Sequence, residues 1–159
     1  MNAVEASGWE LVKSVMDSGA AESVAPTSMC NQFPLEPSVG SQKGQRYTVA
    51  NGGTIANRGQ RLVKGVTDDG APIKMQYQVA DVTQPLNAVG KVCDQGNVVM
   101  FTPTGGVIKN VWSGATTSFG REDWIYILRT WVQGSNVATQ GEMPENNSRP
   151  SSGFQRQFN

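Results

Sequence analysis

The chain has 159 residues, with thirteen basic and thirteen acidic side chains, so its formal net charge is zero. This length fits one ordinary domain, and the balanced charge argues against a dedicated nucleic-acid or anionic-membrane binder, which depends on a positive field. Histidine is absent, which excludes self-contained serine or cysteine triads and the usual mixed zinc sites, since all of these use imidazole.

The cysteine count and the length of the apolar runs indicate the compartment in which we expect the protein to act. Two cysteines, Cys30 and Cys93, are too few for a disulfide framework. The sequence contains no apolar run near the roughly 20 residues that cross a bilayer, and residues 1–5 lack the basic start of a secretion signal. We therefore expect a protein that is not secreted, kept in a reducing compartment, and without a membrane partner.

Eighteen glycines and eight prolines are scattered along the chain, and helix-type apolar periodicity is almost absent. Such a sequence predicts an all-β fold of short strands joined by turns. The first element is a buried strand over residues 11–16, which stops at the turn Asp17-Ser18-Gly19. Residues 26–43 carry three prolines and many small polar side chains, which predicts a long irregular connection on the surface.

The middle of the chain predicts two hairpins. Residues 46–50 and 54–56 flank Asn51-Gly52-Gly53, whose positive φ angles suit a tight hairpin turn. Residues 60–67 and 73–79 flank Asp68-Asp69-Gly70, and the second of these arms alternates apolar with polar side chains. That arm should have one buried and one solvated face.

The last third predicts one or two helical turns within residues 86–95, ended by Gly96, and strands near 98–101, 106–109 and 124–132. Apolar content then falls sharply from Gln133 onward. We therefore divide the chain into a domain over residues 1–132 and a flexible C-terminal tail over residues 133–159.

Two further clusters have simple structural interpretations. Asp68 and Asp69 belong to an Asp-Asp-Gly turn, which is favoured over a metal site, so no metal and no cofactor are expected. Trp124, Tyr126 and Trp131 lack an accompanying basic stripe, which favours a core or dimer role over stacking on nucleic-acid bases. No nucleic-acid partner is expected.

Two short motifs occur in a characteristic order. Asp17-Ser18-Gly19 follows an apolar strand, and the glycine-tipped hairpin comes some thirty residues later. The run Asn87-Ala88-Val89-Gly90-Lys91 is then followed by Gly96 and the apolar residues 98–101. This order resembles the retroviral-type aspartic proteases, the retropepsins, and is most similar to the protease region of copia-type retrotransposon polyproteins. The resemblance covers roughly residues 11–128.

The resemblance implies an acid-protease barrel with one short helix, a catalytic turn and a flap hairpin. It implies an aspartic-type endopeptidase in which Asp17 is catalytic and is supported by Ser18 and Gly19. The residues expected to contact a peptide or polyprotein substrate lie after the catalytic turn and at the flap tip: Ala20, Ala21, Glu22, Asn51, Gly52, Gly53 and Thr54.

Peptide hydrolysis of this kind needs two carboxylates that share one proton, one acting as base toward a water and the other as acid toward the carbonyl oxygen. The chain offers one Asp-Ser-Gly turn, so the second carboxylate is expected from another copy in a symmetric homodimer. In that arrangement, Ala88-Val89-Gly90 would pack behind the Asp17 turn, and Lys91 either pairs with Glu22 or stays solvated.

Two other interpretations stay open. The same fold can serve as a non-catalytic all-β binding or assembly module whose Asp-Ser-Gly turn is never paired. The glycine-rich, uncharged sequence is also compatible with a structural component of a particle, the motif matches then being accidental. For the protease, the resemblance implies processing of a retroelement polyprotein in the cytoplasm or within a virus-like particle.

Overall fold

The computed structural model describes residues 8–134. Over these residues 52% of the chain is strand and 8% is helix, which confirms the all-β prediction. The elements in chain order are β1 (Trp9–Asp17), β2 (Val24–Pro26), α1 (Val39–Gln42), β3 (Arg46–Thr48), β4 (Thr54–Ala56), β5 (Gln60–Val66), β6 (Pro72–Ala80), β7 (Leu86–Ala88), α2 (Val89–Asp94), β8 (Asn97–Thr102), β9 (Gly105–Asn110), β10 (Thr116–Glu122) and β11 (Ile125–Gln133).

Six strands close into a barrel in the order β1, β7, β2, β6, β5 and β11, and the ring is completed by pairing of β11 with β1. The closing pair is antiparallel and runs from Trp9 opposite Gln133 to Val15 opposite Ile127. Barrel closure satisfies the backbone groups that an open sheet would leave at its edges.

The remaining strands lie outside the barrel in two groups. β10, β9 and β8 continue the sheet outward from β11, and β8 is its outermost strand. β3 and β4 form a separate two-stranded sheet, which is the predicted glycine-tipped hairpin. The second predicted hairpin is also confirmed, since β5 and β6 pair antiparallel around residues 67–71.

Apolar side chains from most strands fill the barrel interior and the space under the extension. In β6, Ile73, Met75, Tyr77 and Val79 are buried, whereas Gln76 is exposed, as the alternating pattern predicts. Val12 from β1 and Leu128 from β11 meet the same core. This burial, at roughly 25 cal/mol per Å² of apolar surface, is the main stabilising contribution.

The connection over residues 26–43 is more ordered than predicted. Cys30 is buried in the core, and Met29 and Phe33 pack against it, so the predicted surface position is wrong for this part. α1 is a four-residue helix whose Ser38 cap accepts a hydrogen bond from the Ser41 N–H (3.0 Å). The few apolar residues among the prolines anchor the segment to the barrel.

Two other boundaries differ from the expectations. The helical turns start only at Val89, because residues 86–88 form β7. Strand β10 was not predicted, since its sequence is mostly polar and its pairing with β9 and β11 is what holds it in the sheet.

The predicted tail lies mainly outside the described residues. Gln133, where it begins, is the last residue of β11 and pairs with Trp9. The Gly134 N–H donates to the Gly8 carbonyl (2.7 Å). Residues 135–159 are not described by the structure. Within residues 8–134, neither helix has the length and apolar character that crossing a membrane requires.

Candidate active site

Asp17 is the last residue of β1, at the point where this strand lies parallel to β7. Met16 is opposite Asn87, and Asp17 is opposite Ala88. The Gly19 N–H donates to Oδ1 of Asp17 (2.8 Å), which closes the turn and orients the carboxylate. Between residues 8 and 134, the second carboxylate oxygen has no hydrogen-bond or ion-pair partner, so it can accept a hydrogen bond from a water.

The fold of a single chain gives no strong reason for Ser18 and Gly19 to be these residue types. Both are exposed, and the Ser18 hydroxyl makes no hydrogen bond within the part of the chain that the structure describes. A Cβ on Gly19 would lie 3.4 Å from Asp17 Oδ1, an ordinary contact. The turn therefore presents a small, polar and unoccupied surface around the carboxylate.

A buried polar cluster holds the strands behind this turn. Asn87 is fully buried, and its Nδ2 donates to Ser14 Oγ (2.7 Å) while its Oδ1 accepts from the Tyr77 hydroxyl (2.6 Å). The Ser14 hydroxyl in turn donates to the Leu128 carbonyl (3.4 Å). These contacts tie β1, β6, β7 and β11 together one residue before Asp17 in the register, which fixes the position of the turn.

The three residues after Asn87 are expected to pack behind the Asp17 turn, and Gly90 does not. Ala88 is fully buried against the Asp17 turn, and Val89 packs on the core. Gly90 is exposed, and a Cβ there would meet nothing within 4 Å, so its predicted packing behind the turn is wrong. Gly90 begins the exposed side of α2, where neighbouring strands do not reach.

The residues after the turn run along the barrel toward the hairpin. Ser23 is buried, its hydroxyl accepts from the Ala88 N–H (3.0 Å), and its carbonyl accepts from the Gln78 N–H (2.8 Å). Glu22 is half-buried, and its Oε1 lies 3.7 Å from Lys91 Nζ, so of the two alternatives for Lys91 the structure has the pair with Glu22. Ala20 is half-buried and Ala21 is exposed. The small side chains leave the space beside Asp17 open.

The base of the β3–β4 hairpin adjoins the same segment. Burial and, second, the nearby Glu22 carboxylate raise the pKa of the Tyr47 hydroxyl above its ordinary value. Asn57, just after β4, donates to the Tyr47 hydroxyl (3.1 Å) and to Gln78 Oε1 (2.9 Å). The hairpin is therefore fixed at its base, beside the loop that contains Glu22.

The hairpin tip is a tight turn that projects into solvent. The Val49 N–H donates to the Gly53 carbonyl (2.9 Å), and Asn51 Oδ1 accepts from the Gly53 N–H (2.9 Å). Gly52 has a φ of 84°, which a glycine adopts without strain. Thr54 is exposed and accepts from Arg46 Nε through its hydroxyl (2.9 Å). No hydrogen bond among the described residues joins the tip to residues 17–19.

Two concave surfaces border these residues. A groove of about 870 Å³ contains Glu22 and runs between α1, α2 and the outer faces of β5 and β6. A smaller concavity of about 330 Å³ contains Asp17 and Ser18 and is walled by Phe101, Trp124 and Tyr126. Of the predicted site residues, Glu22 lines the larger groove and Asp17 and Ser18 line the smaller concavity. The rest line neither surface: Gly19, Ala20, Ala21, Asn51, Gly52, Gly53 and Thr54.

The aromatic wall beside Asp17 is the part of the site that sequence reasoning missed. Trp124 was noted only as part of an aromatic cluster, and Phe101 only as a strand residue. Trp131 differs from both, because it is buried and its Nε1 donates to Asp68 Oδ1 (2.8 Å). A tryptophan within the turn Asp123-Trp124 was the available signal, since an exposed turn rarely needs a large apolar side chain.

Among residues 8–134, no group of three or more acidic or cysteine side chains has an arrangement that could hold a metal ion. Asp68 instead pairs with Arg129 (2.9 Å).

Comparison of the chain with protein-family models, with curated proteins and with solved structures found no match.

Proposed function

We propose that this chain is a retropepsin-like aspartic endopeptidase that acts as a homodimer and processes a retroelement polyprotein. The observation that carries the proposal is the Asp17-Ser18-Gly19 turn, which ends β1 where that strand runs parallel to β7. One carboxylate oxygen accepts from the Gly19 N–H, and the other has no hydrogen-bond partner within the described residues. A strand-end carboxylate that is oriented through one of its oxygens is suited to catalysis.

The chemistry requires a second carboxylate beside the first. In the proposed dimer, the two Asp17 side chains lie on the two-fold axis and share one proton. The ionised carboxylate accepts a proton from a water as that water attacks the peptide carbonyl carbon, and the protonated one donates to the carbonyl oxygen. The C–N bond then breaks as the nitrogen accepts the proton that was taken from the water, and a hydroxyl of the tetrahedral intermediate returns its proton to the other carboxylate. The products are a carboxylic acid and an amine, and the pair again holds one proton.

The neighbouring residues have supporting roles in this proposal. Ser18 is exposed and has no hydrogen-bond partner among residues 8–134, so its hydroxyl is available to the backbone of the partner's turn. Gly19, Ala20 and Ala21 leave room for an extended peptide. The tip at Asn51-Gly52-Gly53 and Thr54 acts as a flap that closes over the substrate and donates backbone hydrogen bonds to it. Glu22 contacts the substrate from the side of the larger groove.

The test is proteolysis by the Asp17→Asn variant on an unfolded protein substrate, read by mass spectrometry. The amide is nearly isosteric but cannot act as the base, so cleavage should fall about a thousandfold or more. Asp94→Asn is the matched control, because Asp94 is an exposed aspartate at the end of α2 and should leave cleavage unchanged. Asp17→Asn activity near that of the unmodified chain would contradict the proposal.

The pH profile tests the shared proton separately. Activity should be highest at acidic to mildly acidic pH and should vanish once both carboxylates of the pair are ionised. A rate that rises steadily through neutrality into alkali would argue against a carboxylate pair. Absence of cleavage at every pH by a chain that dimerises normally would favour the non-catalytic binding module instead.

A further inference from the structure

The larger groove, of about 870 Å³, has an excess of positive charge. Its charged lining residues are Lys43, Lys74, Lys91 and a single carboxylate, Glu22. Lys91 Nζ lies 3.7 Å from Glu22 Oε1, so these two charges offset each other. Lys43 and Lys74 have no carboxylate within salt-bridge distance in residues 8–134. One concave surface therefore presents two positive charges that the described chain does not neutralise.

The outer faces of β5 and β6 add a third such charge beside the groove. Lys64 of β5 is directly opposite Lys74 of β6, and the buried neighbours Val63 and Met75 show that both lysines are on the outward face. Like charges directly opposite each other in an antiparallel pair are destabilising. Within the described residues Lys64 also lacks a carboxylate partner. An anion bound here would offset the repulsion between the two lysines.

Two glutamine amides of the lining have uncommitted donors. The Gly59 N–H donates to Oδ1 of Asn57 (2.9 Å), which fixes the orientation of that amide. Asn57 Nδ2 then donates to Oε1 of Gln45 (3.1 Å) and to Oε1 of Gln78 (2.9 Å). Both glutamines line the groove, and their Nε2 groups donate no hydrogen bond within residues 8–134. The groove thus offers N–H donors to a ligand with carbonyl or carboxylate oxygens.

The rest of the lining indicates which kind of anion fits. It contains no arginine and no aromatic side chain, so it lacks the bidentate phosphate contact and the stacking surface that are typical of nucleic-acid binding. Val39 and Leu62 are instead 68% and 39% exposed along it and offer apolar contacts. Amide donors suit the carbonyls of an extended peptide, and lysines suit its carboxylates.

We infer that the larger groove binds an extended acidic segment of the polyprotein substrate, away from the cleaved bond. The inference rests on the proposed function for the identity of this peptide as substrate, whereas binding itself needs no catalysis. Glu22 is five residues after Asp17 in the chain, so their Cα atoms are at most about 18 Å apart. One extended peptide can therefore reach both the catalytic turn and the groove.

The test measures binding of a short fluorescein-labelled peptide that alternates glutamate with serine, by fluorescence anisotropy. The protein is full-length Asp17→Asn, which leaves the peptide uncut. Adding Lys74→Glu should raise the Kd about tenfold or more, because it reverses a charge that faces the peptide. The same change gives Lys64 an opposite charge across the strand pair, so the free energy of unfolding should not fall.

Lys109→Glu is the matched control, because Lys109 is an exposed strand lysine of β9 that does not line the groove. It should leave the Kd unchanged. A peptide with glutamine in place of glutamate should bind at least tenfold more weakly. Equal binding of the two peptides, or an equal Kd for Lys74→Glu and Lys109→Glu, would overturn the inference. Tighter binding of a single-stranded oligothymidine that is weakened by Lys74→Glu would also overturn it, in favour of nucleic acid.

Cleavage kinetics in the chain with Asp17 intact link the groove to the substrate. For a substrate with a glutamate-rich segment on one side of the cleaved bond, Lys74→Glu should raise KM at least fivefold with little change in kcat, and Lys109→Glu should change neither. An unchanged KM in Lys74→Glu would overturn the inference that this peptide is substrate.

Failure of the groove and failure of the protease give different results. Cleavage that depends on Asp17, without binding of the acidic peptide, would keep the protease and reject the groove. Acidic-peptide binding that Lys74→Glu weakens, in a chain that cleaves nothing, would reject the protease and retain the groove as a peptide-binding site.

Discussion

Replacing Asn87 with leucine should destabilise the protein by about 3–5 kcal/mol. Leucine is similar in size but cannot hydrogen-bond, so the short contacts to Tyr77 (2.6 Å) and Ser14 (2.7 Å) disappear. Each such bond contributes about 1 kcal/mol net, and a buried group left without a partner costs about 1–3 kcal/mol more. Burial raises the pKa of Tyr77, so its hydroxyl stays protonated and becomes that unpaired donor.

A double-mutant cycle identifies the cause of the loss. Tyr77→Phe alone leaves Asn87 Oδ1 unpaired and should cost about 1–2 kcal/mol. Added to Asn87→Leu, the same change should recover about 1 kcal/mol or more, because both partners are then apolar. Asn97 is a second buried asparagine, bonded to the Val92 carbonyl (2.8 Å). Asn97→Leu should therefore be additive with Tyr77→Phe.

The assay is urea denaturation followed by circular dichroism, at one protein concentration for all variants because the proposed dimer would contribute to the measured stability. A loss below about 0.5 kcal/mol for Asn87→Leu would refute the reasoning. So would Asn87→Leu and Tyr77→Phe effects that simply add, since residues that do not interact are additive within about 0.3–0.5 kcal/mol.

Two further predictions concern the core. Burial raises the pKa of the Cys30 thiol from 9.0 to about 12, so the unfolded chain ionises first and stability should fall between pH 9 and 12. Cys30→Ala should flatten that decline in pH-dependent urea unfolding, and an unchanged slope would count against it. Gly106→Ala would place a Cβ 2.2 Å from Phe119 Cζ and 2.4 Å from the Met100 carbonyl, which should cost about 1–3 kcal/mol. At Gly120 an added Cβ would meet nothing within 4 Å. The free energy of unfolding of Gly120→Ala, measured by the same urea denaturation, should therefore stay within about 0.5 kcal/mol of the unmodified chain.

Local signals explain which elements were predictable. Asn51-Gly52-Gly53 and Asp68-Asp69-Gly70 determine their turns through short-range chemistry, and β6 shows its two faces by alternation. β2 has no such signal, because its partners β6 and β7 lie far away in the sequence. β10 pairs with its chain neighbours β9 and β11, but its mostly polar sequence carries no apolar alternation. Closure of the barrel depends on β1 meeting β11, more than a hundred residues later. No periodicity in either strand specifies that partner.

The candidate site likewise combines residues that the sequence predicts with residues whose placement depends on the fold. The Asp17 turn was predictable, since a strand-end motif is visible in the sequence. The Lys91–Glu22 pair was one of two alternatives, because opposite charges in the sequence do not show whether two side chains meet. The placement of Trp124 and Phe101 beside Asp17 was not, because it depends on how β8 to β11 fold back across the barrel. The second carboxylate belongs to another copy in our proposal, so no reading of one chain can place it.

The most direct measurement is the distance between the two Asp17 carboxylates in a crystal structure of the assembled full-length protein. We expect oxygens of the two side chains within hydrogen-bond distance, about 2.6–3.2 Å, so that they share one proton. An assembly in which the carboxylates face away from each other, or lie beyond about 6 Å, would contradict the proposed mechanism.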